Sequence, residues 1–121
     1  MNSKYDLEDR LLGYAAAIIR LVEKLPDTRA ANHVGGQLLR SGTSPLPNHG
    51  EAQAAESAND FVHKMKIGLK ELRESYRWLR LIERVPLAPK DESAALIQET
   101  DELIRIFVTS IRTARQNSSK P

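Results

Sequence analysis

Apolar residues in this chain recur at the helical period and at no other. Leu11, Ala15, Ile18, Val22 and Leu25 step alternately by four and three, which stacks them on one stripe of an α-helix. Asp6 stands where an N-cap belongs and Pro26 where a helix must stop, so a first helix is expected over 7–25. Asp27 or Thr28 is placed to cap a second helix in which Ala31, Val34 and Leu38 share a face, with Gly42 as a break. Pro45 and Pro47 lack amide donors but fit a first helical turn. A further helical piece is therefore expected to start at one of them and run to about residue 56, with a bend over 41–48. Ser57 and Asp60 have the spacing of an N-terminal capping pair, and no proline follows until Pro86, so 58–85 is expected to be the longest helix, about 40 Å. Beyond the turn at Val85–Pro89, Ile97, Ile104 and Ile111 repeat every seven residues beside Thr100, Phe107 and Ala114. This predicts a last helix over 91–115, followed by a polar, disordered tail at 116–121. Strand alternation and Asn-Gly or Asp-Gly hairpin turns are missing. The expected fold is all-α: one domain over 1–115, an antiparallel up-and-down four-helix bundle whose second helix is interrupted near Pro45–Pro47.

Composition narrows the chemistry. The 121 residues include no cysteine, which excludes disulfide frameworks, thiolate zinc sites and cysteine nucleophiles. The longest apolar run, Tyr14 to Ile19, is far below the roughly 20 residues of a membrane-spanning helix, so a soluble, cytoplasmic protein with no membrane partner is expected. Eighteen Lys and Arg face sixteen Asp and Glu, net +2, but unevenly: residues 57–85 are net +3, whereas 1–56 and 86–115 are each net −1.

The long helix carries most of the information. Phe61, Met65, Leu69, Leu72, Tyr76 and Leu79 fall on one broad face, the expected bundle core. A second apolar group, Ile67, Trp78, Leu81 and Val85, lies about 140° round the wheel, too far to enter the same seam. Either the bend or the tail covers it, or it is a subunit interface. An interface is the reading adopted, because apolar patches of this kind are otherwise rare on monomers. Between these faces Lys66, Lys70, Arg73, Arg77, Arg80 and Arg84 step by four and three, six cations on one stripe about 27 Å long. Such a stripe suits phosphate neutralisation. The competing reading is a solvated face whose charges pair with Glu71, Glu74 and Glu83, or across a subunit boundary with Asp6, Glu8 and Asp9. No aromatic platform accompanies it, so base stacking is not expected.

Reaction chemistry is not supported. Glu56, Asp60 and His63 superficially match a di-iron bundle, but such a site needs two Glu-x-x-His helices and two further carboxylates, so neither metal nor cofactor is expected. His33 and His49 have no obvious serine partner and are expected to be partly exposed. Ser41, Thr43 and Ser44 suit capping and turn bonds better than nucleophilic roles, and Gly35, Gly36 and Gly42 form no phosphate-binding loop. Paired small residues in a bundle instead permit close helix approach. No enzymatic activity is expected.

Several segments resemble a known family: Ser41-Gly42-Thr43-Ser44-Pro45, Glu51-Ala52-Gln53-Ala54-Ala55-Glu56-Ser57, Asp60-Phe61-Val62-His63-Lys64-Met65-Lys66-Ile67, Lys70-Glu71-Leu72-Arg73-Glu74 and Trp78-Leu79-Arg80-Leu81-Ile82. Over residues 6 to about 112 the chain resembles the four-helix bundle proteins also called 23S rRNA-intervening-sequence proteins. The resemblance implies a bacterial, non-catalytic homopentamer of antiparallel bundles, some relatives being encoded within insertions in large-subunit rRNA genes. A related branch looks like the accessory variability protein of diversity-generating retroelements, whose basic pentameric surface is thought to engage nucleic acid and a reverse transcriptase. By that resemblance Lys66, Lys70, Arg73, Arg77 and Arg80 belong to such a surface. The chain departs from the family at Leu46-Pro47-Asn48-His49-Gly50, where relatives usually have an Ala-Asn-aromatic/aliphatic-Ala run, and Pro47 and Gly50 are expected to weaken helix continuity there. The expected function is an oligomer that binds RNA or other nucleic acid through backbone contacts. The alternative is a structural or protein-interaction scaffold that binds none.

Overall fold

The computed structural model describes residues 6–118 and consists of helices α1 (Leu7–Glu23), α2 (Arg29–Thr43), α3 (Pro45–Gln53), α4 (Ala58–Arg84) and α5 (Lys90–Ser118), with no strand among the described residues. Short connections reverse the chain between α1 and α2, between α3 and α4 and between α4 and α5. Helices α2 and α3 follow one another with only Ser44 between them, so the bundle has four rods, the second of them broken. Three of the starts are capped by the side chains that the sequence places there. Asp6 Oδ1 accepts from Asp9 N at 3.0 Å, Thr28 Oγ1 from Ala31 N at 3.2 Å and Ser57 Oγ from Asp60 N at 3.1 Å, each satisfying an amide that has no partner within its helix.

The second rod is more regular than the sequence suggests. Gly42 lies inside α2 and does not break it. A Cβ there would come within 2.8 Å of Ile18, so this glycine is a contact point at which α1 and α2 approach closely. Gly35 has the same role more mildly against Leu25, at 3.1 Å, whereas Gly36 faces open space. The expected bend over 41–48 shrinks to Ser44, itself in helical conformation. Pro45 and Pro47 sit in the first turn of α3, where their missing amides cost nothing. Asn48 N already donates to Ser44 O at 3.2 Å, and the helix passes through Gly50 to Gln53, ending three residues before the expected 56.

The core runs between the rods and includes Leu11, Ile18, Leu21, Leu38, Met65, Leu72, Leu79, Ile82, Leu103 and Phe107, all nearly inaccessible. On α4 the buried line is Met65, Gly68, Leu69, Leu72, Ser75, Leu79 and Ile82. Phe61 and Tyr76, expected in the core, lie half-buried at its edges. On α5 the central line is Ser93, Leu96, Thr100, Leu103, Phe107 and Ile111. Ile97 and Ile104, each one residue beyond Leu96 and Leu103, are partly buried and flank it. Four buried hydroxyls are matched in pairs: Tyr14 Oη and Thr100 Oγ1 are 2.7 Å apart, and Ser75 Oγ donates to Ser41 Oγ at 2.8 Å. Burial pushes the Tyr14 phenol up to about 12. Residues 116–118, expected in the tail, continue α5, with Ser118 Oγ donating to Arg115 O at 3.0 Å; 119–121 lie outside the described residues.

Candidate nucleic-acid interface

Helix α4 is one uninterrupted rod from the Ser57 cap to Arg84, so its three- and four-residue spacing becomes a straight line of side chains. Lys66, Lys70, Arg73, Arg77, Arg80 and Arg84 are all exposed. Two of the acids expected to neutralise them are engaged elsewhere. Arg40 of α2 donates from Nη1 to Glu71 Oε1 at 2.7 Å and from Nη2 to Glu74 Oε2, which also accepts from Trp78 Nε1 at 3.0 Å. The Glu71 side chain is only 13% exposed. Both carboxylates thus belong to the α2–α4 seam. Among the described residues, no carboxylate lies within 4.0 Å of any of the six cations. Arg77 Nη1 donates to Arg73 O at 3.1 Å, and Arg80 Nη1 to Tyr76 Oη at 3.3 Å with its guanidinium 5.7 Å from the Tyr76 ring centre. These contacts orient the arginines without neutralising them.

The four residues of the second apolar face divide. Ile67 and Trp78 are half-buried, and Trp78 meets His33 of α2 edge-on with ring centres 6.1 Å apart. Part of that face is therefore covered by α2. Leu81 and Val85 remain 42% and 56% exposed.

That α5 reaches this surface is not among the sequence expectations. Arg112 and Arg115 line a groove of about 370 Å³ together with Lys66, Leu69, Arg73, Val108 and Ile111. The available signal was that α5 carries Arg105, Arg112 and Arg115 but no acid after Glu102. At the other end of the stripe, a groove of about 460 Å³ is lined by Tyr76, Arg80, Glu83 and Asp101.

The remaining candidates do not assemble into a reactive site. Thr43 Oγ1 donates to Leu39 O at 2.7 Å, and Ser44 Oγ accepts from Asn48 Nδ2 at 2.9 Å. Among the described residues, no group of three or more His, Asp or Glu side chains is arranged to hold a metal, and no helix is long and apolar enough to cross a membrane. A groove of about 600 Å³ between α1 and α5 is lined by Gly13, Tyr14, Ala17 and Leu96 among others. Ion pairs from Arg10 to Glu99 and Glu102 and from Lys24 to Glu92 cross the same two helices.

His49 departs from expectation. It is 5% exposed, beside Phe107 with ring centres 6.5 Å apart; Nε2 meets Gln53 Nε2 at 3.2 Å, while Nδ1 has no partner. Burial holds its pKa below the usual 6.5, opposed weakly by Glu8 and Asp6. The unfolded chain therefore binds a proton more readily than the folded one, and stability must fall as pH drops below about 6.5. Urea midpoints at pH 7.5 and 5.5 should differ for the native chain, and the difference should largely vanish in His49→Phe. His33 and His63 are exposed.

The comparisons agree with this architecture. A crystal structure of a protein of unknown function from the S23 ribosomal protein family of Bacteroides thetaiotaomicron matches with a TM-score of 0.81 and 31% identity, covering 86% of this chain and 96% of that one. No curated protein matches. The family model described as 23S rRNA-intervening sequence protein matches residues 6–109, and with the bundle in place around those residues, the chain belongs to that family.

Proposed function

We propose that this protein is a non-catalytic, cytoplasmic homopentamer of four-helix bundles that binds RNA through the sugar-phosphate backbone, using Lys66, Lys70, Arg73, Arg77, Arg80 and Arg84. The observation that carries the reading is the commitment of Glu71 and Glu74 to Arg40, which leaves the adjacent cations without carboxylate partners. Cations held on a rigid rod without counter-charges are suited to phosphates, and arginine forks onto phosphate oxygens. Self-association is supported by the exposure of Leu81 and Val85 beside Ile67 and Trp78; five-fold symmetry comes from the family resemblance. Five chains at +2 give about +10, a field that draws in polyanions at low salt.

A second reading has its own observation. Glu8 and Asp9 at the start of α1 are exposed and without ion pairs, and across a subunit boundary they are available to the same cations. The protein would then be a scaffold. Light scattering and a salt series with a labelled structured RNA separate the two readings. Nucleic-acid binding requires a pentamer mass and an affinity that falls steeply with salt. A pentamer that ignores RNA at low salt supports the scaffold, and a monomer mass contradicts the proposed assembly.

A further inference from the structure

We infer that the nucleic-acid backbone is seated at one end of the stripe, across the α4–α5 seam, held by Lys66, Lys70, Arg73 and Arg77 from α4 and by Arg112 and Arg115 from α5. This rests on the nucleic-acid reading above and states where on the surface the phosphates lie.

The two ends of the stripe are not equivalent. At the Lys66 end, two grooves adjoin and share Lys66, Leu69 and Arg73: one of about 370 Å³ reaches Arg112 and Arg115, and one of about 530 Å³ reaches Lys70 and Arg77. The carboxylate on this side, Glu74, is held by Arg40 and Trp78. Leu69, Val108 and Ile111 form an apolar floor, and low-dielectric walls lined by charge of one sign concentrate the field along a groove. At the Arg84 end, Arg80 shares its groove with Glu83 and Asp101. The Arg80 guanidinium is also drawn over Tyr76. Asp101 there pairs with Arg105 at 3.0 Å, but Glu83 has no ion pair among the described residues, so phosphates approaching that end meet its carboxylate.

A single row of cations touches a polyanion along one line. Cations from two antiparallel helices flank a groove from both sides and fix the register of a strand between them. With lysines and arginines supplying the contacts and no aromatic platform, recognition is of backbone and independent of sequence.

The test uses the full chain and a short labelled RNA duplex in fluorescence anisotropy at several salt concentrations. Light scattering and a thermal midpoint accompany each variant. Arg112→Gln/Arg115→Gln and Lys66→Gln/Arg73→Gln should each weaken low-salt binding by about tenfold or more and reduce the salt slope by up to about two. Arg80→Gln/Arg84→Gln should weaken binding distinctly less, by about threefold, because phosphates at that end share the groove with Glu83. Should the α5 double variant fail to keep its assembly, Arg115→Gln alone must still weaken binding. Unchanged affinity in the α5 variants, or an equal loss at Arg80 and Arg84, overturns this placement while leaving nucleic-acid binding intact. Native protein that binds no RNA at low salt overturns both.

Discussion

Phe107→Ala is expected to destabilise the bundle by about 3–5 kcal/mol, the range for emptying an aromatic site in a core. Phe107 is fully buried, and its ring edge occupies the space that a Cβ on Gly68 would enter, 2.7 Å from Cε2. Truncation removes the ring from both α4 and the buried His49, and helices joined along their length cannot collapse locally to close the gap. The reciprocal change is informative too. Gly68→Ala gains roughly 0.5–1 kcal/mol of helix propensity, but overpacking against a ring with no free direction costs about 1–3 kcal/mol, so the net effect is a loss. Phe107→Leu/Gly68→Ala should lose less than the sum of its single variants, because each substitution relieves the other. Urea unfolding at a fixed protomer concentration measures all of these. A Phe107→Ala loss below about 1 kcal/mol would mean that the α4–α5 seam is not packed as described.

How much of this was legible in the sequence depended on the range of the interaction. The caps at Asp6, Thr28 and Ser57 and the stop at Pro26 act within one turn, and so does the spacing that aligns Lys66 through Arg84; all could be read from the chain. Gly42 was misread as a break because its reason is tertiary: Ile18, twenty-four residues earlier, occupies the space of its missing side chain. On α5 the reading placed Thr100, Phe107 and Ile111 on the buried line but took Ile97 and Ile104 in place of Leu96 and Leu103, because hydrophobicity alone does not separate the centre of a stripe from its flank. The fate of Glu71 and Glu74 lay outside any reading of α4, since their partner Arg40 belongs to another helix. Arg112 and Arg115 escaped for the same reason: an acid-free helix end joins a basic surface only once α4 and α5 are packed antiparallel. His49 looked like a bend residue until α3 proved helical and turned it inward.

The second large effect concerns the stripe itself. Lys70→Glu/Arg73→Glu/Arg77→Glu replaces three cations with three anions on an exposed face and touches no core residue. Stability and assembly should therefore be preserved, while RNA binding at low salt should fall by about two orders of magnitude or more, since each neutralised phosphate contributes close to one unit of salt slope. A smaller effect of the same origin is expected from Arg40→Ala. It frees Glu71 and Glu74 beside the stripe, and RNA binding should weaken although Arg40 lies on another helix.

The measurement that bears most directly on the account is a salt series of RNA-binding anisotropy on the native chain and this triple variant side by side, with light scattering on both. The account predicts equal mass, a steep salt slope for the native protein, and little or no binding by the variant. Equal masses with indistinguishable binding curves would contradict it, since the six cations of α4 would then not be the surface that meets the phosphates.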